Sequence, residues 1–453
     1  MARTSATKLP QPVFHEPIFG EDGSRPDPTG FSTTHGSDTA LYKQIGDLAT
    51  KDVVVIPKSR IADDKMFSLA EAYGNHGAEI VKKIASAKRI VFHALGDSGA
   101  SNAGKYPREL RVADQVTLDT ASAAEGDRAA FLYHLGDVVY NFGEARYYYD
   151  QFYEPFRNYP APIFAIPGNH DSFVVPGTKP ADAPLTVFQR NFCAKDTIIT
   201  PEAGSLHRTA MTQPGVYFTL DAPFVRIIGL FSNALEDPGV ISNLDNKRKW
   251  PVTNIQIDFL RAQLRLVKAQ KFAGALLLAT HHPTFSYSPA GKNGGAGGNH
   301  GCSTAMLQQI DTVCHEEGVY PHAFLSGHAH NYQRYTRIME FGAKGETKEI
   351  DVPFIVCGDG GHNVNSLVRA QRGKVAQEPN AGADVGYLDT GGVAKVKHLF
   401  LAKYDDHNYG YLRIYVDKDY LKIGFHQVGA QSLAQSRYDM VTVRLADHHM
   451  VAN

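Results

Sequence analysis

Cysteine is scarce: four in 453 residues exclude a disulfide scaffold, and the positions Cys193, Cys302, Cys314 and Cys357 form no CxxC pair of the kind that marks a zinc site. Buried free thiols are expected, with a bridge from Cys302 to Cys314 as the alternative. Excess charge of one sign is also missing, since 46 Lys and Arg stand against 47 Asp and Glu, a formal net charge of -1. Such a chain has no basic field for gripping a nucleic-acid backbone and no acidic tail, so no nucleic-acid partner is expected. No run approaches the roughly 18 apolar residues of a membrane span, so no membrane association is expected. The opening residues 1–17 carry Arg3 and Lys8 but no apolar stretch of the kind an export signal needs. The expected location is cytoplasmic for the chain as given, or outside the cell if a leader was removed.

What is present is a hydrophobic content of 43%, enough for at least one large core. The first residues are rich in Pro, Gly, Ser and Thr with little periodicity, so residues 1–60 are expected to form an irregular amino-terminal extension and residues 61–453 one domain. From residue 64 to 87 the apolar spacing is helical, with Leu69, Ala70, Tyr73 and then Ile80, Val81, Ile84 at three-to-four spacing, broken near Gly74 and Gly77. Short apolar runs then alternate with helical stretches, as in an α/β fold. The runs cover residues 90–95, 131–135, 163–166, 224–230, 275–279, 323–325 and 354–356. Helices are expected over 110–124, 144–156 and 254–269, the last with an apolar stripe of Ile257, Leu260, Leu264 and Val267. Residues 399–428 alternate apolar and polar side chains, which predicts an antiparallel hairpin completing a sheet. A Gly-rich stretch, 291–301, reads as a loop.

The polar residues fall where these runs end. Residues 90–95 run into Asp97, 131–135 into Asp137 and Tyr140, and 163–166 into Asn169, His170 and Asp171; residues 275–279 run into His281 and His282, and 323–325 into His328 and His330. A single Asp at a strand end is usually a helix cap. Five metal-capable ends in order mean something else, because ligands in α/β sheets gather beyond the carboxyl ends of the strands. Carboxylates, an amide oxygen and several imidazoles, with no thiolate cluster, suit a pair of borderline divalent or trivalent ions, and two such ions can activate water and neutralise a phosphoryl transition state.

These motifs resemble those of the calcineurin-like metallophosphoesterases, whose signature runs Asp-x-His, Gly-Asp, Gly-Asn-His-Asp/Glu, His, Gly-His-x-His. The first motif here, Asp97-Ser98-Gly99, lacks the usual His, while Tyr140 lies three residues after Asp137. That exchange makes the chain similar to the purple acid phosphatases, whose pattern GDxG, GDxxY, GNHD/E, H, GHxH stands complete from Gly96 to His330. Asn331-Tyr332-Gln333-Arg334 and Cys357-Gly358-Asp359-Gly360-Gly361 resemble the same family's downstream segments.

The resemblance implies a four-layer α/β/β/α sandwich of two mixed sheets flanked by helices, with a dinuclear metal site at the strands' carboxyl ends. It implies a ferric site of Asp97, Asp137, Tyr140 and His330, with Asp137 bridging, and a second site of Asn169, His281 and His328 for Fe(II), Zn(II) or Mn(II). A phenolate is a hard donor that favours Fe(III). His281 rather than His282 is the expected ligand, because the family's ligand His stands two residues before a Pro. His170 and His300 are the expected catalytic residues, binding phosphate or protonating the leaving group. His76, His93, His134, His207, His315 and His362 are expected to be structural or on the surface.

The implied reaction is hydrolysis of a small phosphate monoester, of acid phosphatase type, by a metal-activated hydroxide. The alternatives are a phosphodiesterase or nucleotide hydrolase of the same superfamily, and a non-catalytic phosphate- or metal-binding protein.

Overall fold

The computed structural model describes residues 56–174, 183–232, 239–243, 252–287, 304–342, 347–367, 379–389, 392–429 and 432–452. His300, the Gly-rich stretch 291–301, Cys302 and nearly all of residues 1–60 lie outside them. In chain order the strands are β1 (Phe67–Ser68), β2 (Arg89–Leu95), β3 (Leu132–His134), β4 (Ile163–Ala165), β5 (Phe218–Ala222), β6 (Val225–Leu230), β7 (Ala275–Thr280), β8 (Ala323–Ser326), β9 (Tyr332–Phe341), β10 (Lys348–Cys357), β11 (Ala383–Asp384), β12 (Lys395–Asp405), β13 (Gly410–Asp417), β14 (Tyr420–Gln427), β15 (Arg437–Arg444) and β16 (His449–Val451).

They form two mixed sheets, one in the order β16-β15-β14-β13-β2-β3-β4 and the other β1-β5-β6-β7-β8-β10-β9-β12-β11. β2, β3 and β4 run parallel in the first sheet, and β6, β7, β8 and β10 run parallel in the second. Strand alternation sorts the side chains between two cores. Ile90, Phe92 and Ala94 of β2 join Ile414, Phe425, Ile227, Leu277 and Leu325 in the core between the sheets. Leu95, two residues beyond His93, turns to the outer side, where Val112, Ala113 and Val116 of the helix Tyr106–Ser122 cover it. On the other sheet the helices Ile255–Ala269 and Thr304–Glu317 bury Ile257, Leu260, Leu264, Val267, Ile310 and Val313 against Leu276 and Leu278. Each such side chain contributes roughly 1.5–3 kcal/mol on burial. The result is helix, sheet, sheet and helix in layers.

Two expectations need correction. Residues 144–156 do not form a regular helix: a 3-10 turn, Ala145–Tyr147, leads into a widened π turn, Tyr149–Tyr153. Tyr147, Tyr148, Phe152, Tyr153 and Phe156 are all buried, and so are the polar Asp150, Gln151 and Glu154, so this segment lacks the exposed face of a surface helix, and the widened turn turns Gln151 onto the backbone of Tyr140. Residues 399–428 also divide: β13 and β14 make the expected hairpin, whereas β12 pairs with β9 in the other sheet. Alternation alone cannot say which sheet a strand joins. Cys193, Cys314 and Cys357 are free thiols. No helix among the described residues is long and apolar enough to cross a membrane.

Candidate metal centre

The site lies where two neighbouring parallel bundles of strands end side by side. The turns after β2, β3 and β4 carry Asp97, then Asp137 with Tyr140, then Asn169 with His170; those after β7 and β8 carry His281 and His282, then His328 and His330. Backbone bonds weld the two sheets here, from Gly96 N–H to the Cys357 carbonyl at 2.9 Å and from Gly360 N–H back to the Gly96 carbonyl at 3.0 Å. Asp97, Asp137 and His328 all take the left-handed conformation, with φ of 57°, 55° and 68°. Asp and His tolerate it better than most residues, though it still costs of order 1 kcal/mol each. The reward is directional, because His328 N–H then donates to Asp97 Oδ2 at 2.7 Å, joining a strand end of one sheet to one of the other.

Two groups of side chains meet across Asp137. In one, the Tyr140 hydroxyl lies 3.0 Å from Asp97 Oδ1 and 3.1 Å from His330 Nε2, which is itself 3.5 Å from Asp97 Oδ1. In the other, Asn169 Oδ1 lies 3.0 Å from His281 Nε2 and 3.2 Å from His328 Nδ1. Asp137 Oδ2 stands 3.3 Å from His281 Nε2. One atom each from Asp137, His281 and His328 falls within 4.8 Å of the others, close enough to hold a metal ion. All of these side chains are buried.

The donor set fits a cation. His281 Nδ1 sits 2.9 Å from the Leu135 carbonyl and so carries the proton, which leaves the Nε2 lone pair of a neutral ring facing two oxygen acceptors, Asn169 Oδ1 and Asp137 Oδ2. Only a proton or a metal ion satisfies that arrangement. The electrostatics of the side chains by themselves are strained in the same sense. Burial depresses the His281 imidazole, but Asp137 and Asp97 outweigh it and bring its pKa up to about 9. Burial raises the Asp97 carboxyl, while at Asp137 the same burial is overcome by His281 and His170, which hold it far below the ordinary carboxylate range. The Tyr140 phenol is pushed up by burial and then by Asp137 and Asp97. Burial also lowers His330 to about 4, leaving it a neutral donor. A dense set of lone pairs with too few protons is what a metal ion compensates.

Other residues fix these groups. The Asp171 carboxylate accepts hydrogen bonds from Val138 N–H at 3.0 Å, Val139 N–H at 3.1 Å and Gly168 N–H at 2.8 Å, tying the Asp137 turn to the Asn169 turn. His170 N–H donates to Asp137 Oδ1 at 2.9 Å. Gln151 accepts from Tyr140 N–H at 2.7 Å and donates to its carbonyl at 2.6 Å, a two-point clamp. A Cβ on Gly168 would stand 2.1 Å from Asp137 Oδ1, so only glycine fits between the two loops. The His170 ring lies 4.2 Å from that of Tyr140, and its Nδ1–H donates to the Asn141 carbonyl at 2.8 Å. His282 is buried beside His328, ring centroids 4.3 Å apart, with Nδ1 3.1 Å from the Ser232 hydroxyl.

Asp97, Asp137, Tyr140, Asn169, His170, His281, His328 and His330 are thus brought together; His300 lies outside the described residues. Sequence reasoning missed His362, read as structural or surface, whose ring stacks on Tyr140 with centroids 3.5 Å apart and 17° between planes. Lys105, whose Nζ lies 2.7 Å from His362 Nε2, was missed with it. The available signal was the Gly358-Asp359-Gly360-Gly361 segment just before His362, since such glycines mark close backbone approach. Gly361 has φ +148°, and a Cβ on it would meet the Ser98 carbonyl oxygen at 2.7 Å.

Parallel strands ending in a buried Asp, Asn, His and Tyr cluster, inside a sandwich of two mixed sheets flanked by helices, define a metallophosphoesterase architecture. The calcineurin-like phosphoesterase family matches residues 90–332, more than half of the chain, and the protein belongs to that family. Among solved structures, the chain is similar to one described as PhoD, with 11% identity and a TM-score of 0.45 over 80% of this chain and 71% of that one. A second is "GAP50 the anchor in the inner membrane complex of Plasmodium", with 11% identity and a TM-score of 0.44 over 76% of this chain and 86% of that one. At that level neither likeness bears on activity or partners. No curated protein matches the chain.

Proposed function

We propose that the protein hydrolyses phosphate monoesters as an acid phosphatase of the purple acid phosphatase type, with its catalytic domain over 61–453. Metal-dependent phosphoester hydrolysis is the chemistry of the family as a whole. The finer reading is carried by one observation: the hydroxyl of Tyr140 occupies the position beside Asp97 and His330, at 3.0 and 3.1 Å, in a chain whose first motif offers no His. Two metal ions bound here would supply neutralisation of the phosphoryl charge and activation of water at acidic pH.

Asp97, Asp137, Tyr140 and His330 would hold a ferric ion, and Asn169, His281 and His328 would hold Fe(II), Zn(II) or Mn(II), with Asp137 shared between them. The Leu135 carbonyl fixes the His281 tautomer so that Nε2 points inward. His170 is held by the Asn141 carbonyl on Nδ1, with Nε2 on the side of Asp137 at 3.9 Å. In its protonated form it can donate that Nε2 proton to the departing ester oxygen, and His300 is proposed to act beside it. The substrate is a small phosphate ester.

The test compares turnover of an aryl phosphate monoester and the matching diester by one preparation, across pH, with metal analysis. The monoester should be preferred, with a maximum below pH 7 and loss of activity on chelation. A preference for the diester would make the protein a phosphodiesterase or nucleotide hydrolase. A clearly alkaline maximum would remove the ferric tyrosinate. Bound metal with no hydrolysis of any phosphate ester would make it a binding protein.

A further inference from the structure

His362 and Lys105 belong to none of the motifs that define the site, yet both reach it. The His362 main chain is anchored by donation from its N–H to the Asp97 carbonyl at 3.0 Å. Its Nδ1 lies 2.6 Å from the Gly99 carbonyl and its Nε2 lies 2.7 Å from Lys105 Nζ. A carbonyl can only accept and an ammonium can only donate, so the tautomer is settled: Nδ1 carries the proton and Nε2 receives one from Lys105. The ring held this way lies almost flat on the Tyr140 phenol, centroids 3.5 Å apart and planes 17° from parallel.

That stack is closer and more face-to-face than aromatic pairs usually adopt, because two electron-rich faces repel each other and offset or edge-on arrangements win. It becomes favourable when one ring is electron-poor. An ammonium bonded to Nε2 draws density out of the imidazole, and the face it weakens is the one against Tyr140. The complement of an electron-poor face is an electron-rich one, which a phenolate has and a phenol has less of. Gln151 clamps the Tyr140 backbone from one side while His362 fixes its ring from the other.

We infer that His362, polarised by Lys105, is the positioning residue for Tyr140: it fixes the ring so that the phenol oxygen meets Asp97 and His330, and it lays an electron-poor face flat against that ring. This rests on Tyr140 being a metal ligand in the function proposed above. The consequence is spectroscopic as well as kinetic. Removing the electron-poor ring raises the energy of the phenolate donor orbitals, so the phenolate-to-Fe(III) charge-transfer band moves to longer wavelength.

The experiment uses the full chain loaded with iron, and reads the visible absorption band and the ferric ion retained after dialysis. His362→Ala should shift the band to longer wavelength and retain ferric ion about tenfold less well, the size typical of residues that orient a metal ligand. His362→Phe restores a flat ring without the Lys105 bond, so it should regain the ferric ion and keep the shifted band. Lys105→Met, a change at a half-buried lysine, should fold even if the His362 variants do not, and should shift the band in the same direction by less. A parental band in all three variants would overturn the inference, and so would full restoration by His362→Phe, which would reduce the residue to packing. If the iron-loaded parent has no such band, the inference falls because Tyr140 is not a ferric ligand; a parental band unmoved by the variants leaves that reading standing and removes only the role of His362 and Lys105.

Discussion

His281 and Leu135 stand in a relationship that sets the chemistry of the site: the Nδ1–H of the imidazole points at the Leu135 carbonyl, 2.9 Å away, and so turns the opposite nitrogen toward Asn169 and Asp137. In the metal-free protein, Nε2 must carry a second proton, which is why the ring, against the effect of its burial, is held up to about 9 by Asp137. The stability this pair confers on the metal-free protein is complete below the ordinary histidine value of about 6.5 and is lost as pH rises toward 9. A metal ion taken up below that pH has to displace the proton. Zinc binding followed by calorimetry at pH 7 in two buffers of different ionisation enthalpy should therefore give different heats, and identical heats would show that no proton leaves.

Tyr140→Phe keeps the ring that stacks on His362 but deletes the oxygen 3.0 Å from Asp97. The fold should survive. Metal analysis should show loss of one of two ions per chain, and hydrolysis of an aryl phosphate should fall by roughly 10²-fold or more, as expected when a preorganised charge-bearing group is removed. Retention of both ions would show that the phenol is not a ligand.

Asp171→Asn tests the scaffold and leaves the candidate ligands in place. Its carboxylate gathers the N–H groups of Val138, Val139 and Gly168. An amide has one acceptor oxygen and would turn a donor toward one of those N–H groups, costing about 1–3 kcal/mol in stability. Metal affinity should drop roughly 10–100-fold because the Asp137 and Asn169 turns are no longer tied. Equilibrium denaturation and competitive chelation measure the two effects separately.

His170→Ala should lower kcat by about 10²–10⁴-fold for an alkyl phosphate, whose leaving group needs a proton, and much less for an aryl phosphate with an acidic phenol. Rates measured over a series of leaving groups would show a steeper dependence on leaving-group pKa than in the parent. An equal loss for every ester would mean that His170 organises the site without donating a proton.

Far from the site, His322 and His448 stack with centroids 3.8 Å apart, and burial lowers their pKa to about 4 and about 3. Both are neutral in the fold and protonate more readily when unfolded. Their contribution is thus fully present above about pH 6.5 and is lost as pH falls through the window toward 4. His448 has φ 58°, a conformation Asn accepts, so His448→Asn should preserve the turn and flatten the decline in melting temperature between pH 6.5 and 4. An unchanged slope would assign the acid sensitivity to other groups.

The sequence by itself determined the α/β class and the order of the metal-capable strand ends. These are local properties: a buried parallel strand is a short apolar run, and the polar group at its carboxyl end is its immediate neighbour in the chain. Hence Asp97, Asp137, Asn169, His328 and His330 could be placed at strand ends beforehand, and the stripe Ile257, Leu260, Leu264 and Val267 with them, whereas the choice of Tyr140 and of His281 over His282 as candidate ligands came from the resemblance to the purple acid phosphatases. Tertiary structure alone decided which sheet received β12, how the π turn aims Gln151 at Tyr140, and that Lys105 meets His362 across 257 residues of sequence. Side-chain period reports which face of an element is buried but carries no information about which distant element will cover it; that choice is made by the packing of two sheets and their helices as a whole.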